Sequence, residues 1–402
     1  MSTDNFVVAE AQLLIEEARK DKAERIKALG EPIQLPGKPL AIEIRNNVAW
    51  IADNTNVIRK TNLESGKILQ IYKGHTGPVT SIAFCDRRPG SGDQEIIVSG
   101  SWDNSIKLWD TKTKEVISTT PKAHGDFVKS LHVFPTLRLL ISGSADKIVR
   151  FWDLSTLECS DPLKSLGFIS SHTRPVECLD GETLSETSAI LYTGDTMGVI
   201  KVWDLQLADA RWKATLIKTI NNHRTRINEL RYGHGHLWTA SSDETAQILP
   251  QVPVDPTDKS IKSPKPLEHP MAVRAILPLT LTTLGEPYLL TAAGDVLRTF
   301  EVSELDDPQL LSLLDAHAHD ITAIRLWIRQ TVDENGQKLI EPWIVTTSLD
   351  KTLRKWKLTE LLQPPKPETN APKVEETKPE IKASALTEEE ERELAEFMDD
   401  NE

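Results

Sequence analysis

Cysteine is scarce in this chain, with three residues, Cys85, Cys159 and Cys178, among 402. An odd number without CxxC spacing argues against a disulfide framework or a thiolate metal site. It suits small buried side chains in a reducing compartment, so the expected location is cytoplasmic, nuclear or both. Long apolar runs are missing too. No stretch approaches the roughly eighteen consecutive apolar residues that a membrane-spanning helix needs. The start, Met1-Ser2-Thr3-Asp4, lacks the basic-then-apolar order of a secretory signal. Catalytic signatures are absent as well: there is no G-x-S-x-G elbow, no phosphate-binding loop and no dinucleotide glycine fingerprint. Gly30 to Gly37-Lys38 comes nearest, with the wrong spacing and no following Ser or Thr.

Clustered positive charge is also lacking. The net charge is −13, and Thr387 to Glu402 holds nine acids against the single base Arg392. That tail accounts for −8 and leaves the body an unremarkable −5. Direct nucleic-acid binding is therefore not expected, because phosphate neutralisation needs grouped Lys and Arg, and no membrane partner is expected either. His234 with His236, and His317 with His319, form close pairs, but neither has Cys or carboxylate partners at ligand spacing. No metal or other cofactor is expected.

What is present is a repeat. Gly74-His75-Thr76-Gly77-Pro78-Val79 opens an alternating run to Phe84, and Ile96-Ile97-Val98 leads into Ser99-Gly100-Ser101-Trp102-Asp103 and then Ile106-Lys107-Leu108-Trp109-Asp110. The order returns from His124 to Trp152-Asp153, and again from His172 to Trp203-Asp204. Weaker copies start at His223, His269 and His317, so the histidines stand 49, 48, 51, 46 and 48 residues apart. In all six copies a Val or Ile lies four residues after the histidine: Val79, Val128, Val176, Ile227, Val273 and Ile321. Each copy holds four short alternating runs between turn residues, the pattern of a four-stranded antiparallel unit.

With a Gly-His near one end and a Trp-Asp near the other, this repeat closely resembles the WD-repeat β-propeller family over about Leu40 to Leu358. The resemblance implies a structural tetrad in which a Trp indole, a hydroxyl, a His and a turn Asp satisfy one another. The matching positions are His75, Ser99, Asp103 and Trp109; His124, Ser142, Asp146 and Trp152; and His317, Thr346, Asp350 and Trp356. The other copies depart from it. Met197 stands where the third copy should have its turn Asp, Leu249 replaces Trp in the fourth, and Phe300 follows a shorter turn in the fifth.

Leu40–Arg45, Val48–Ala52, Val57–Thr61 and Ile68–Tyr72 read as strands of a degenerate first blade, giving seven. The seventh lacks a local outer strand, because Pro364-Pro365-Lys366-Pro367 cannot pair in a sheet. Pro32-Ile33-Gln34-Leu35-Pro36 is the candidate to supply it and close the ring. The expected fold is thus all-β, a seven-bladed propeller closed by an N-terminal strand, with an N-terminal helix and a short acidic C-terminal helix. The expected divisions are a helix over 1–30, the propeller over 31–362, a disordered Pro/Lys/Glu linker over 363–385 and the acidic tail over 386–402. Asp4 to Leu29 lacks Gly and Pro and ends at Gly30, the mark of a helix stop. That helix could pack on the side or base of the propeller or serve a partner. In the tail, Thr387 and Glu390 fit a capping box ahead of Leu394, Phe397 and Met398.

The family resemblance places the loops entering each blade and the loops between its second and third strands on the narrower face, a common docking surface. Trp102, Phe127, Arg174, Arg224, Arg226, Met271, His319 and Leu349 fall in those loops. Aromatic and Arg side chains dominate interface energetics, and the arginines suit an acidic or phosphorylated peptide. Leu394 and Phe397 add a second candidate docking motif. The reading is a non-enzymatic scaffold or adaptor, a subunit of a larger complex that binds peptide motifs of other proteins. A substrate receptor of a cullin-type ubiquitin ligase is the alternative. Many such receptors carry Arg two residues after Trp-Asp, where this chain has Lys112, Ser155 and Gln206.

Overall fold

The computed structural model describes residues 3–363 apart from 89–90, 92–94, 156, 158–160, 210, 251–263 and 333–337. Its strands form seven four-stranded antiparallel sheets. Six are built from consecutive strands and span 39–73, 79–120, 128–169, 176–220, 227–268 and 273–315. We number these blades 1 to 6, with strands a to d running outward from the central channel. Blade 7 takes its first three strands, Ile321–Val332, Lys338–Ser348 and Thr352–Lys357, from the end of the ring. Its fourth is Ile33–Gln34, which pairs Ile33 with Leu353 and Gln34 with Thr352. The Leu35 amide extends the ladder to the Lys351 carbonyl at 2.8 Å. This all-β, seven-bladed ring with an N-terminal closing strand matches the architecture read from the repeat.

The core lies between blades. Phe134, Leu139 and Ile141 of blade 3 pack with Trp203 and Trp212 of blade 4, and Val98 and Leu108 of blade 2 pack with Leu140 and Trp152 of blade 3. Side chains alternate across each pleated strand, so both faces of every blade are covered by its neighbours. The Val or Ile four residues after each histidine has a role in this packing. A Cβ at Gly100, Gly143 or Gly194 would lie 2.5, 2.9 or 3.1 Å from Val128, Val176 or Ile227 of the next blade. The strand-b glycine and the next blade's β-branched residue therefore form one fitted contact.

Helix α1 spans Thr3–Arg25. Its last turn leads through Ile26, which is buried, to Gly30, whose φ of +68° turns the chain into the closing strand. The side chains from Leu13 to Lys20 are exposed, so this stretch of α1 does not lie packed along the side or base of the ring. Its end is anchored by ion pairs: Lys22 pairs with Asp295 at 2.6 Å and with Asp315, and Arg25 pairs with Asp315 at 2.6 Å, all on blade 6. A one-turn helix α2, Leu358–Leu362, follows blade 7 and buries Leu358 and Leu361. The acidic C-terminal helix expected at 386–402, with Leu394 and Phe397, and the linker after Gln363 lie outside the described residues, as does Cys159. Cys85 and Cys178 are free and buried. No described helix is long and apolar enough to cross a membrane.

Candidate functional site: the narrow-face loops

The loops leading into each blade and the turns between strands b and c meet on one face, and the buried polar chains beneath them set their shape. In blade 2 the Trp109 indole N–H donates to Ser99 Oγ at 2.7 Å, Ser99 Oγ meets His75 Nε2 at 2.8 Å, and His75 Nδ1 meets Asp103 Oδ2 at 2.8 Å. Asp103 also accepts the Thr76 amide, tying the entry loop to the b–c turn. With Nδ1 protonated toward Asp103, every polar atom of the chain has a partner. Blade 3 repeats this through Trp152, Ser142, His124 and Asp146, and blade 7 through Trp356, Thr346, His317 and Asp350.

The expectation for the third histidine-led copy, blade 4, needs correction. Met197 does not mark a missing acid there, because Asp195 at the end of strand b meets His172 Nδ1 at 3.1 Å. Thr193 and Trp203 complete that chain at 2.7 and 3.0 Å. Blade 5 keeps His223, Thr239 and Asp243, with Leu249 in the indole position. Blade 6 lacks the acid: His269 Nε2 meets Thr291, and its Nδ1 donates to the Leu267 carbonyl at 3.0 Å. Blade 1 has no His and no Trp in its third strand, and instead holds Asp53 against Arg59 at 2.8 Å, both buried.

The electrostatics follow from these contacts. Burial alone would raise the Asp103 carboxyl, but hydrogen bonds from His75 and Ser105 outweigh it and hold Asp103 well below the usual carboxylate range. Asp146 is balanced the same way, by His124 and the Gly125 amide, and falls to about 2. His269, with no carboxylate beside it, is pushed down to about 4, chiefly by burial. The periodic His, Ser and Asp residues are thus closed off as framework.

Above this frame sit the candidate contact residues. Trp102, in the b–c turn of blade 2, and Phe127, in the loop entering blade 3, stack with ring centroids 4.8 Å apart and planes 13° from parallel. They remain 41% and 37% exposed, an unusual cost for two adjacent aromatic rings unless another surface covers them. Their backbones are fixed: the Trp102 amide donates to the Pro78 carbonyl, and the Phe127 carbonyl accepts the Ala145 amide. The three arginines are not one free cluster. Arg226 reaches Glu177 at 3.4 Å and Arg224 donates to the Asp243 carbonyl, while Arg174 has no ion-pair partner among the described residues. Met271 is exposed and lies over Gly294, and Leu349 is half-buried. His319 sits against Asp320 at 3.6 Å.

Sequence reasoning missed Met197, which stands exposed in the blade 4 turn. It was read as a failed Asp, although a Met at a turn tip with an acid two residues before it was the available signal. The end of α1 reaches this face as well, since Asp295 lies in the b–c turn of blade 6. Among the described residues, no group of three or more His, Cys, Asp or Glu could hold a metal ion.

A closed ring of seven blades, with buried tetrads beneath a face of fixed loops, defines an interaction propeller. A family model described as "WD domain, G-beta repeat" matches residues 66–110 and 115–153. The chain carries WD repeats at these positions and folds as a seven-bladed β-propeller. It is 26% identical over 372 residues to an uncharacterized WD repeat-containing protein of Schizosaccharomyces pombe, covering 89% of this chain and 90% of that one. It is 30% identical over 169 residues to the ribosome biogenesis protein YTM1 of Vanderwaltozyma polyspora, 41% of this chain and 35% of the relative. Among solved structures, the computationally designed Ika8 protein aligns with a TM-score of 0.55 over 80% of this chain and 83% of its own, at 20% identity, a likeness of fold alone.

Proposed function

We propose that this protein is a non-enzymatic scaffold subunit that binds peptide motifs of partner proteins through its narrow-face loops, within a multiprotein complex. The stacked, half-exposed Trp102–Phe127 pair carries this reading. Flat aromatic anchors on rigid turns are the features that concentrate binding energy at protein interfaces. Arg174 supplies a charge for an acidic or phosphorylated residue of the same peptide. Similarity to proteins named for ribosome biogenesis supports an assembly that acts in the nucleus. Lys112, Ser155 and Gln206, in place of the arginines of cullin-type receptors, favour the scaffold over that alternative.

The test is purification of the tagged protein from its native cells, with co-purifying proteins identified by mass spectrometry. A stoichiometric partner should be lost from a Trp102→Ala, Phe127→Ala variant and retained by a Lys218→Gln variant on the outer strand of blade 4. Equal recovery from the aromatic variant and the parent chain sinks the narrow-face reading.

A further inference from the structure

The opposite face, where the a–b and c–d loops lie, carries a second feature that the scaffold reading does not use. Two clefts flank the a–b hairpin of blade 1 and share Ile44, Asn46 and Val48 as a common wall. One, about 610 Å³, lies between blades 1 and 2, and the other, about 840 Å³, runs toward the inner strands of blades 5, 6 and 7. Five cations line the two clefts, Arg45, Lys60, Lys112, Arg231 and Arg325, against two carboxylates, Glu43 and Glu95. Glu95 pairs with Lys112, Glu43 and Glu229 pair with Arg325, and Glu229 also pairs with Arg231. That leaves Arg45 and Lys60 as the two cations without an ion pair among the described residues, on a chain of net charge −13.

In the smaller cleft Lys112 pairs with Glu95, whereas Arg45 and Lys60 make no ion pair among the described residues. The Arg45 guanidinium lies 4.6 Å over the Phe84 ring, and its buried Nε has no hydrogen-bond partner. Lys60 Nζ lies 4.8 Å over the Trp50 ring and makes no ion pair among the described residues. Trp50 and Phe84 meet edge to face at 5.4 Å, so the two charges rest on one aromatic floor. Burial lowers both cations from their ordinary values, and for Arg45 Glu43 and Asp86 offset this only in part. A partner carboxylate would restore what burial removes. In the larger cleft, Arg231 and Arg325 share Glu229 at 2.7 and 3.1 Å, beside an apolar wall of Leu277, Leu281 and Ile328.

We propose that this groove binds an extended acidic peptide of a partner protein, with a carboxylate against Arg45 and Lys60 and apolar side chains in the neighbouring cleft. The two cations without an ion pair, Arg45 and Lys60, select an acidic ligand. The two clefts in tandem, with an apolar wall beyond the cations, fit a chain of mixed acidic and apolar side chains better than a single ion. Nucleic acid fits less well, because Trp50 and Phe84 are buried with cations on their faces and offer no platform for stacked bases. The site is separate from Trp102 and stands whether or not the narrow face binds a partner.

The test uses the full chain and fluorescence anisotropy with a labelled peptide of alternating glutamate and leucine. A glutamine–leucine peptide and an oligouridylate serve as competing probes. The glutamate peptide should bind in a salt-dependent manner and weaken about tenfold for Lys60→Gln and for Arg45→Gln, the loss expected for one desolvated charge contact. Lys218→Gln, which removes the same charge from the outer strand of blade 4, should leave binding unchanged. Lys60 is partly exposed, so Lys60→Gln should melt with the parent chain and decides the matter even where Arg45→Gln disturbs folding. Equal binding by Lys60→Gln and the parent overturns the proposal. So does equal affinity for the glutamine peptide, or tighter Lys60-dependent binding of the oligouridylate.

Discussion

Ser142 Oγ takes the Trp152 indole N–H at 2.8 Å and faces His124 Nε2 at 2.7 Å, so one small hydroxyl satisfies two buried rings. Ser142→Ala strands both, and should cost about 1–3 kcal/mol in urea unfolding, the desolvation penalty of unpaired buried groups. Leu249→Ala, in the blade that has no indole, breaks no polar chain and should show only the packing loss of a smaller side chain. His269 gives a pH signature. Its folded value of about 4 lies below the ordinary 6.5, so the unfolded chain takes up the proton first as pH falls. Its contribution is complete above pH 6.5 and is lost between 6.5 and about 4. The melting temperature should fall across that window, and less steeply in His269→Gln. The histidines were legible in the sequence because their spacing is regular. Asp195 was not, because it leaves the strand two residues after Thr193, whereas Asp103 follows Ser99 by four.

At the level of elements, ring closure concentrates on residues 26 to 35. Arg354, buried, donates to the carbonyls of Ile26 at 2.7 Å and of Leu29, and the Lys355 amide donates to Gly30. Lys355 Nζ joins Glu31 and the Leu63 carbonyl, and Arg329 grips Glu64 with two bonds of 2.8 and 2.9 Å, so blades 7 and 1 are tied directly as well. A Cβ at Gly30 would fall 2.5 Å from the Trp356 indole at a left-handed φ. Gly30→Ala should therefore destabilise the chain by about 1–3 kcal/mol or more, read as a lowered unfolding midpoint. Removing residues 1–20 should leave that midpoint nearly unchanged, since the described side chains removed, Leu13 to Lys20, are exposed. The missing outer strand of blade 7 was visible in the sequence as a proline run, and its replacement as a short apolar segment between prolines. The placement of α1 was not legible, because it is fixed by two acids on a distant blade, Asp295 and Asp315, that carry no local pattern.

For the molecule as a whole, blades pack only on their neighbours, so cooperativity depends on the ring being closed. The intact chain should unfold in urea as one transition by both tryptophan fluorescence and circular dichroism. A chain lacking residues 1–35 leaves Leu353 on an open edge, and should show separated transitions and concentration-dependent light scattering. The number of blades was readable because each repeats the same register, whereas the opposite-face groove was not, since Arg45 and Lys60 of blade 1 meet Arg231 and Arg325 from blades far along the chain. The closing pair also orders events during synthesis. Ile33 leaves the ribosome before any strand of the six consecutive blades, and its partner Leu353 follows 320 residues later. At roughly 5–20 residues per second, the nascent chain spends about 15–65 s with its earliest strand unmatched. The last blade translated therefore decides when the first becomes protected.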